Sequence, residues 1–144
     1  MNSLKDFPYK HVLVLGLAKS GTAVASLLRK QNVYVRVNDK NASEEDENVK
    51  SLRAEGIEII LGSHPIHVLD DIELVVKNPG IPYDHDIIVE AEERGLPIFT
   101  EIEIASKLID NPIIGITGSN GKTTSTTLVT QMMQSSKVPV KVAG

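Results

Sequence analysis

Short runs of β-branched and aliphatic residues alternate with segments of helical periodicity from residue 11 to about residue 100. Each apolar run ends in Gly, Asn, Asp or Pro, and most are followed by a helix-like segment, which is the pattern of βαβ units. The runs predict strands over residues 12–15, 33–37, 57–61, 74–76 and 96–99. We therefore expect an α/β fold with a Rossmann-like parallel sheet flanked by helices.

The first predicted helix follows a glycine turn at residues 16–21. Ser20 is its predicted N-cap, since a serine side chain there accepts a hydrogen bond from a first-turn N–H group. Ala23, Leu27 and Leu28 recur at helical spacing and predict the apolar face. That face should pack against the sheet.

Two further helices are predicted from their boundary residues. A polar, acidic loop at residues 40–48 leads into a helix that Gly56 closes. Another helix begins at Asp84 or Asp86 and ends at Gly95. Both helices lie between predicted strands, as crossover connections require.

A change of organisation is predicted near residue 100. Thr100 and Glu103 have capping-box spacing and predict a short helix that ends at about residue 109. An apolar strand over residues 113–117 then begins a second unit. We expect residues 1–99 to form the first domain, and residues 100–144 to form a linker helix and the truncated start of a second domain.

A phosphate-binding loop follows that last strand. It reads Gly118-Ser119-Asn120-Gly121-Lys122-Thr123-Thr124 and leads into a helical segment. Glycines let backbone N–H groups surround phosphate oxygens, and the helix N-terminus adds partial positive charge. In such loops Lys122 would reach the β- and γ-phosphates and the Thr123 hydroxyl would ligate Mg²⁺. The loop is a variant, because Ile116 stands where the usual pattern has its first glycine.

The glycine turn at residues 16–21 resembles a dinucleotide fingerprint, and Asp39 ends the second strand where an acid would meet a ribose hydroxyl. The middle position is Ala18, whose methyl group hinders the close approach of a pyrophosphate. Backbone amides of Lys19 and Ser20 can still hold a phosphate at the helix N-terminus. An NAD-dependent enzyme is therefore an alternative that Ala18 weakens.

A third loop belongs to the same edge of the sheet. Asn78-Pro79-Gly80 follows the fourth strand, and proline and glycine there exclude both helix and strand. Open α/β sheets bind ligands at the carboxyl ends of their strands. Three loops are thus expected to meet at one crevice.

The histidines carry little independent signal. His64 and His67 flank a proline without an evident acidic or thiol partner, so loop positions are favoured over a metal pair. His85 is interpreted as part of a solvated helix cap, and Glu101 and Glu103 as acids of a first helical turn.

Composition narrows the classes of function. The 144 residues include 15 Lys and Arg and 19 Asp and Glu, and the basic residues form no run. A nucleic-acid partner is therefore not expected. Cysteine is absent, the N-terminus lacks a signal-peptide core, and no apolar run reaches the ~20 residues that span a bilayer. We expect a cytoplasmic protein without a membrane partner.

The combined motifs resemble the Mur ligases, ATP-dependent amide-forming enzymes of peptidoglycan synthesis, and most closely the members that add D-glutamate. The resemblance covers essentially the whole chain and rests on residues 14–21, 37–39, 76–82 and 115–124. It implies three domains, of which the first binds the UDP part of the substrate and the central one binds ATP with Mg²⁺. The substrates would be UDP-N-acetylmuramoyl-L-alanine and D-glutamate, joined through an acyl phosphate.

The resemblance also implies roles for particular residues. Those expected at the uridine and diphosphate are Lys19, Ser20, Asp39, Lys40, Asn78 and Gly80. Those expected at the ATP phosphates are Gly118, Ser119, Asn120, Gly121, Lys122, Thr123 and Thr124, with Lys122 catalytic and Thr123 on the metal ion. By the same resemblance, the complete protein would be a monomer.

The residues after Lys122 include no Asp, Glu or His, so they offer neither a further metal ligand nor a base. We expect these 144 residues alone to be inactive as a ligase. The unpartnered strand and helix of the second unit could also make the chain self-associate, because a parallel sheet needs both faces covered. A non-catalytic nucleotide-binding module is a further alternative for the isolated chain.

Overall fold

Five parallel strands form the central layer of the computed structural model, which describes residues 7–108. The strands are β1 (His11–Leu15), β2 (Tyr34–Asp39), β3 (Glu58–Leu61), β4 (Leu74–Lys77) and β5 (Ile98–Thr100). Their order is β3-β2-β1-β4-β5, and all neighbours are parallel. The order reverses between β1 and β4, which is the topological switch point where such sheets bind ligands. The predicted α/β fold is confirmed.

Helices cover both faces of the sheet. They are α1 (Lys19–Lys30), α2 (Glu47–Ala54), α3 (Asp86–Glu93) and α4 (Glu101–Leu108), with a 3₁₀ helix at Ile66–Leu69. Helices α1, α2 and α4 contribute to the core on one face, and α3 and the 3₁₀ helix to the core on the other. Within residues 7–108, no helix is long and apolar enough to cross a bilayer.

Strand β1 is the centre of both cores. Val12 and Val14 belong to the cluster under α1 and α2, whereas Leu13 and Leu15 belong to the cluster under α3. All four side chains are fully buried. A strand buried on both faces needs a continuous apolar sequence, and this explains why β1 lacks the alternation of a half-exposed strand.

The register of the strands aligns their carboxyl ends. Leu15 lies opposite Asn38 on one side and opposite Lys77 on the other, and Lys77 lies opposite Thr100. The residues that follow this row are Gly16, Asp39, Asn78 and Glu101. Four consecutive strand ends therefore deliver their loops to the same level of the sheet.

Two details of α1 differ from the prediction. Its N-cap is Ala18, which makes no side-chain hydrogen bond, and Ser20 lies inside the first turn. The buried face consists of Gly21, Val24, Ala25 and Leu28, and Ala23 is exposed. These four residues follow the spacing i, i+3, i+4, i+7 from Gly21, whose position is set by its close approach to the carbonyl of Gly16.

The other helix boundaries agree with the prediction more closely. Helix α3 begins at Asp86, and the ring of His85 caps it by accepting the N–H of Ile87. At α4, Thr100 Oγ1 accepts the N–H of Glu103, and the Glu103 carboxylate accepts the N–H of Thr100. This reciprocal pair is the predicted capping box.

Helix α4 is joined to the sheet by Ile104, which is fully buried in the cluster that contains α1. The predicted strand at residues 113–117 and the phosphate loop at residues 118–124 lie outside the described residues. The domain boundary at residue 100 therefore stays a prediction.

Candidate functional site

The turn after β1 is tied to β2 and packs tightly against the start of α1. The N–H of Gly16 donates to the carbonyl oxygen of Asn38 at 2.9 Å, and its φ of +99° favours glycine. A Cβ added to Gly21 would lie 2.3 Å from the carbonyl oxygen of Gly16. Only glycine at position 21 allows α1 to start this close to β1, which is the packing role of the third glycine in a dinucleotide fold.

The loop after β4 contacts this turn. A Cβ added to Gly16 would lie 3.4 Å from Ile81 Cδ1 and 3.8 Å from Asn78 Cβ. Asn78 shapes its own loop, since its Oδ1 accepts the N–H of Gly80 at 2.8 Å and its carbonyl accepts the N–H of Ile81 at 2.9 Å. The two loops on either side of the switch point thus form one surface.

Lys77 supports the β4 loop from below, and its role was missed in the sequence. The residue is only 3% exposed, and its Nζ donates to the carbonyl oxygen of Ile81 at 2.9 Å. The ammonium also lies 4.4 Å from the centre of the exposed Tyr83 ring, a cation–π arrangement. A lysine at the end of an apolar strand run was the available signal.

Asp39 joins the loops after β1 and β2. Its Oδ2 accepts the N–H of Leu17 at 2.7 Å, and its Oδ1 accepts the N–H groups of Asn41 at 2.7 Å and Ala42 at 2.8 Å. Burial raises the pKa of Asp39, but these three hydrogen bonds outweigh it and hold the pKa below its usual value. The carboxylate of Asp39 therefore holds the two loops in place even without a ligand.

A polar cluster behind Asp39 was not predicted. Asn38 is fully buried, and its Oδ1 lies 2.6 Å from Nδ1 of His64. The rings of His64 and His85 meet edge to face with centroids 4.7 Å apart. The sequence indicated only loop and cap positions for these histidines, because their contact depends on the loop after β3 reaching α3.

The N-terminus of α1 is open to an anion. Ala18 makes no side-chain cap, no acidic residue lies in the first turn, and Lys19 and Ser20 are exposed. Free N–H groups and the helix dipole at such an end favour phosphate. Beside it lies Glu101, 3% exposed, whose Oε1 makes no hydrogen bond within the described part of the chain.

The structure places the predicted residues of the first domain together. Lys19, Ser20, Asp39, Lys40, Asn78 and Gly80 all lie on the loops and the helix start at the carboxyl edge of the sheet. The roles of these six residues stay predictions, as do those of residues 118–124, which are outside the described range. Among residues 7–108, no three His, Asp or Glu side chains are grouped as metal ligands.

A family model matches this part of the chain. The model is that of the Mur ligase MurD-like N-terminal domain, and the match covers residues 10–100. It includes all five strands and the loops that follow β1, β2, β3 and β4.

Two curated relatives match over nearly the full chain. UDP-N-acetylmuramoylalanine–D-glutamate ligase of Oceanobacillus iheyensis is 57% identical over 100% of this chain and 32% of its own length. The ligase of the same name from Bacillus subtilis is 48% identical over 94% of this chain and 30% of its own length. The chain thus spans about a third of the length of these relatives.

Solved structures share the fold. UDP-N-acetylmuramate-alanine ligase of Thermotoga maritima is 26% identical, with a TM-score of 0.60 over 90% of this chain and 30% of its own. A murein peptide ligase of Psychrobacter arcticus is 22% identical, with a TM-score of 0.65 over 93% of this chain and 30% of its own. At 22% identity, the second comparison bears on the fold alone.

Gly21→Ala tests the close packing of α1 against the turn after β1 by whether it raises or lowers the stability of the chain. An alanine inside a helix normally stabilises it by about 0.5–1 kcal/mol relative to glycine. Here we expect destabilisation by about 1–3 kcal/mol, because the Cβ would overlap the Gly16 carbonyl. Urea unfolding measures the difference. Ser20→Ala, at the neighbouring exposed position, should change stability little, and a stabilised Gly21→Ala variant would contradict the described packing.

Asp39→Asn tests the carboxylate anchor. The variant cannot offer acceptors to all three N–H groups, so at pH 7 we expect it to lose about 1–3 kcal/mol of stability. The depressed folded pKa of Asp39 means that this contribution is complete above the unfolded pKa of about 3.9 and is lost as pH falls through the folded value. The difference between wild type and variant should therefore shrink in acid. Asp84→Asn, at an exposed position, is the control and should show neither effect.

Proposed function

The chain belongs to the family of MurD-like N-terminal domains of the Mur ligases, and from this membership we propose that residues 10–100 bind the UDP part of UDP-N-acetylmuramoyl-L-alanine. The observation that carries the proposal is the contact between the glycine turn and the β4 loop at the switch point of the sheet. Nucleotides bind at this place in open α/β folds.

The diphosphate would lie at the start of α1. The first turn of this helix has no side-chain cap and no acid, so its N–H groups are available to phosphate oxygens. Lys19 and Ser20 are exposed beside them. Phosphate charge is stabilised there by the backbone dipoles, and the ammonium of Lys19 adds an attraction that salt screens.

The nucleoside would lie toward the end of β2. Asp39 uses one acceptor position of Oδ2 and both of Oδ1 for backbone N–H groups, which leaves a position on Oδ2 for a ribose hydroxyl. Lys40 lies exposed next to it. Asn78 and Gly80 would border the ligand from the opposite loop, where Gly80 presents backbone without a side chain.

We assign the chemistry to a protein of the length of the curated relatives. In it, the phosphate loop at residues 118–124 would hold ATP, with Lys122 at the β- and γ-phosphates and Thr123 on Mg²⁺. The substrate carboxylate would attack the γ-phosphorus and release ADP. The amine of D-glutamate would then attack the acyl phosphate, forming the amide and releasing phosphate. Such a reaction on soluble nucleotide substrates fits the cytoplasm.

The two alternative functions differ in their support. Ala18 and the family match both disfavour an NAD-dependent oxidoreductase. A non-catalytic nucleotide-binding module remains the appropriate description of what the isolated 144 residues would do.

Calorimetric titration with UDP-N-acetylmuramoyl-L-alanine tests the proposal. We expect saturable binding, and no binding of NAD. Lys19→Glu should weaken the binding about tenfold at low salt, because it places a negative charge where the diphosphate lies. Lys30→Glu is the matched control, since it makes the same change in the last turn of the same helix. Equal effects of the two variants, or binding of NAD alone, would refute the proposed site.

A second experiment tests whether the 144 residues can catalyse the ligase reaction without the rest of a full-length enzyme. The purified 144 residues should release no phosphate from ATP in the presence of both substrates, because residues 111–144 contain no acid or histidine. A malachite green assay measures this, with a ligase of the relatives' full length as positive control. Substrate-dependent phosphate release by the chain alone would overturn the assignment of missing groups to other parts of the enzyme.

A further inference from the structure

The side chain of Asn38 fixes the protonation state of its neighbour. Its Nδ2 donates to the carbonyl oxygens of Ile60 at 2.9 Å and Ser63 at 2.7 Å. The amide cannot be flipped, because its oxygen would then face two carbonyl oxygens. Oδ1 is therefore the atom that meets Nδ1 of His64 at 2.6 Å, and Nδ1 must carry the proton. Neutral His64 consequently has its lone pair on Nε2.

His85 is held in the opposite tautomer. Its Nδ1 accepts the N–H of Ile87 at 3.2 Å as the cap of α3, so its proton is on Nε2 when the ring is neutral. The two rings meet edge to face at 4.7 Å. Charging both rings would place two cations side by side, and His85 thereby lowers the pKa of His64.

Nε2 of His64 makes no hydrogen bond within residues 7–108, although its ring is partly buried. The residue that orients it, Asn38, directly precedes Asp39, and an acid at the end of the second strand marks the ribose side of a nucleotide in this type of fold. Asp39 and His64 are also close enough for their charges to interact, so His64 lies near the nucleoside end of the proposed site.

We propose that His64 Nε2 accepts a hydrogen bond from the nucleoside of the bound nucleotide, either from the imide N–H of uracil or from a ribose hydroxyl. This inference rests on the proposed function. An acceptor in a fixed tautomer distinguishes uracil from cytosine, because cytosine presents an acceptor where uracil presents its imide N–H. His64 would then contribute to base or sugar specificity.

The ability of His64 to accept this hydrogen bond depends on pH. Burial lowers the pKa of His64, His85 and Lys40 lower it further, and Asp39 acts against them. The acceptor is thus present at neutral pH. Protonation removes it, so the affinity for UDP should fall as pH decreases through the pKa of His64 in the folded chain. By linkage, bound UDP should lower that pKa further.

Two-bond ¹H–¹⁵N NMR spectra of the histidine rings test both steps on the purified chain. Without ligand, His64 should show the Nδ1–H tautomer and His85 the Nε2–H tautomer. Addition of UDP should shift the Nε2 resonance of His64 and lower its pKa. A His64 ring with the proton on Nε2, or a pKa that UDP leaves unchanged while it binds, would overturn the inference.

His64→Asn is the matched variant, because an asparagine Nδ2 lies where the imidazole has Nδ1 and can still donate to Asn38. It removes only the acceptor at the ε position. We expect UDP affinity to fall about fivefold at pH 7.5, the effect of one ordinary hydrogen bond, and the acid dependence to disappear. His67→Asn, an exposed change three residues away, should alter neither.

Ligand analogues identify the donor. If uracil supplies it, CDP should bind more weakly to the wild type and His64→Asn should reduce the difference. If ribose supplies it, 2′-deoxy-UDP should behave in this way instead. If UDP binds but His64→Asn reduces selectivity against neither CDP nor 2′-deoxy-UDP, this inference is refuted and the proposed function is not. Failure of UDP to bind the folded wild-type chain refutes the proposed function, and this inference with it.

Discussion

The carboxyl edge of the sheet depends on the hydrogen bonds of two consecutive residues, Asn38 and Asp39. The carbonyl of Asn38 accepts the N–H of Gly16, and the carboxylate of Asp39 accepts the N–H of Leu17. The side chain of Asn38 holds the loop after β3 through two carbonyl oxygens. One strand end thus determines the position of the loops on both of its neighbours. A nucleotide would meet a surface that is already formed.

This arrangement is stable because the strands beneath it are rigid. β1 is buried on both faces, so the row of strand ends cannot slip without moving apolar side chains out of two cores. The buried amide of Asn38 is tolerable because its Oδ1 and both N–H groups of its Nδ2 have partners. The buried ammonium of Lys77 likewise reaches a carbonyl and an aromatic face. At the ends of β2 and β4, the buried polar side chains thus organise the loops after β3 and β4.

Much of this architecture could be predicted from the sequence, and the exceptions have physical reasons. Strand positions, the glycine turn and the capping box of α4 follow from local patterns of apolar residues and caps. The cap of α1 could not be predicted from Ser20, because the close packing at Gly21 decides where the helix starts. The contact of His64 with Asn38 joins residues 26 apart and depends on the sheet register. The same holds for His64 and His85, which meet only in the folded chain.

Because a Cβ at position 21 would lie only 2.3 Å from the carbonyl oxygen of Gly16, the start of α1 has little room to move toward this turn. The helix cannot tilt toward β1 without pushing the carbonyl of Gly16, and Gly16 lies against Ile81 in the opposite loop. A displacement of the helix end by a bound anion would pass first to the backbone of Gly16 and then to the side chain of Ile81 in the opposite loop. The start of α1 and the loop after β4 would then move together, so the position of one side of the crevice determines the position of the other.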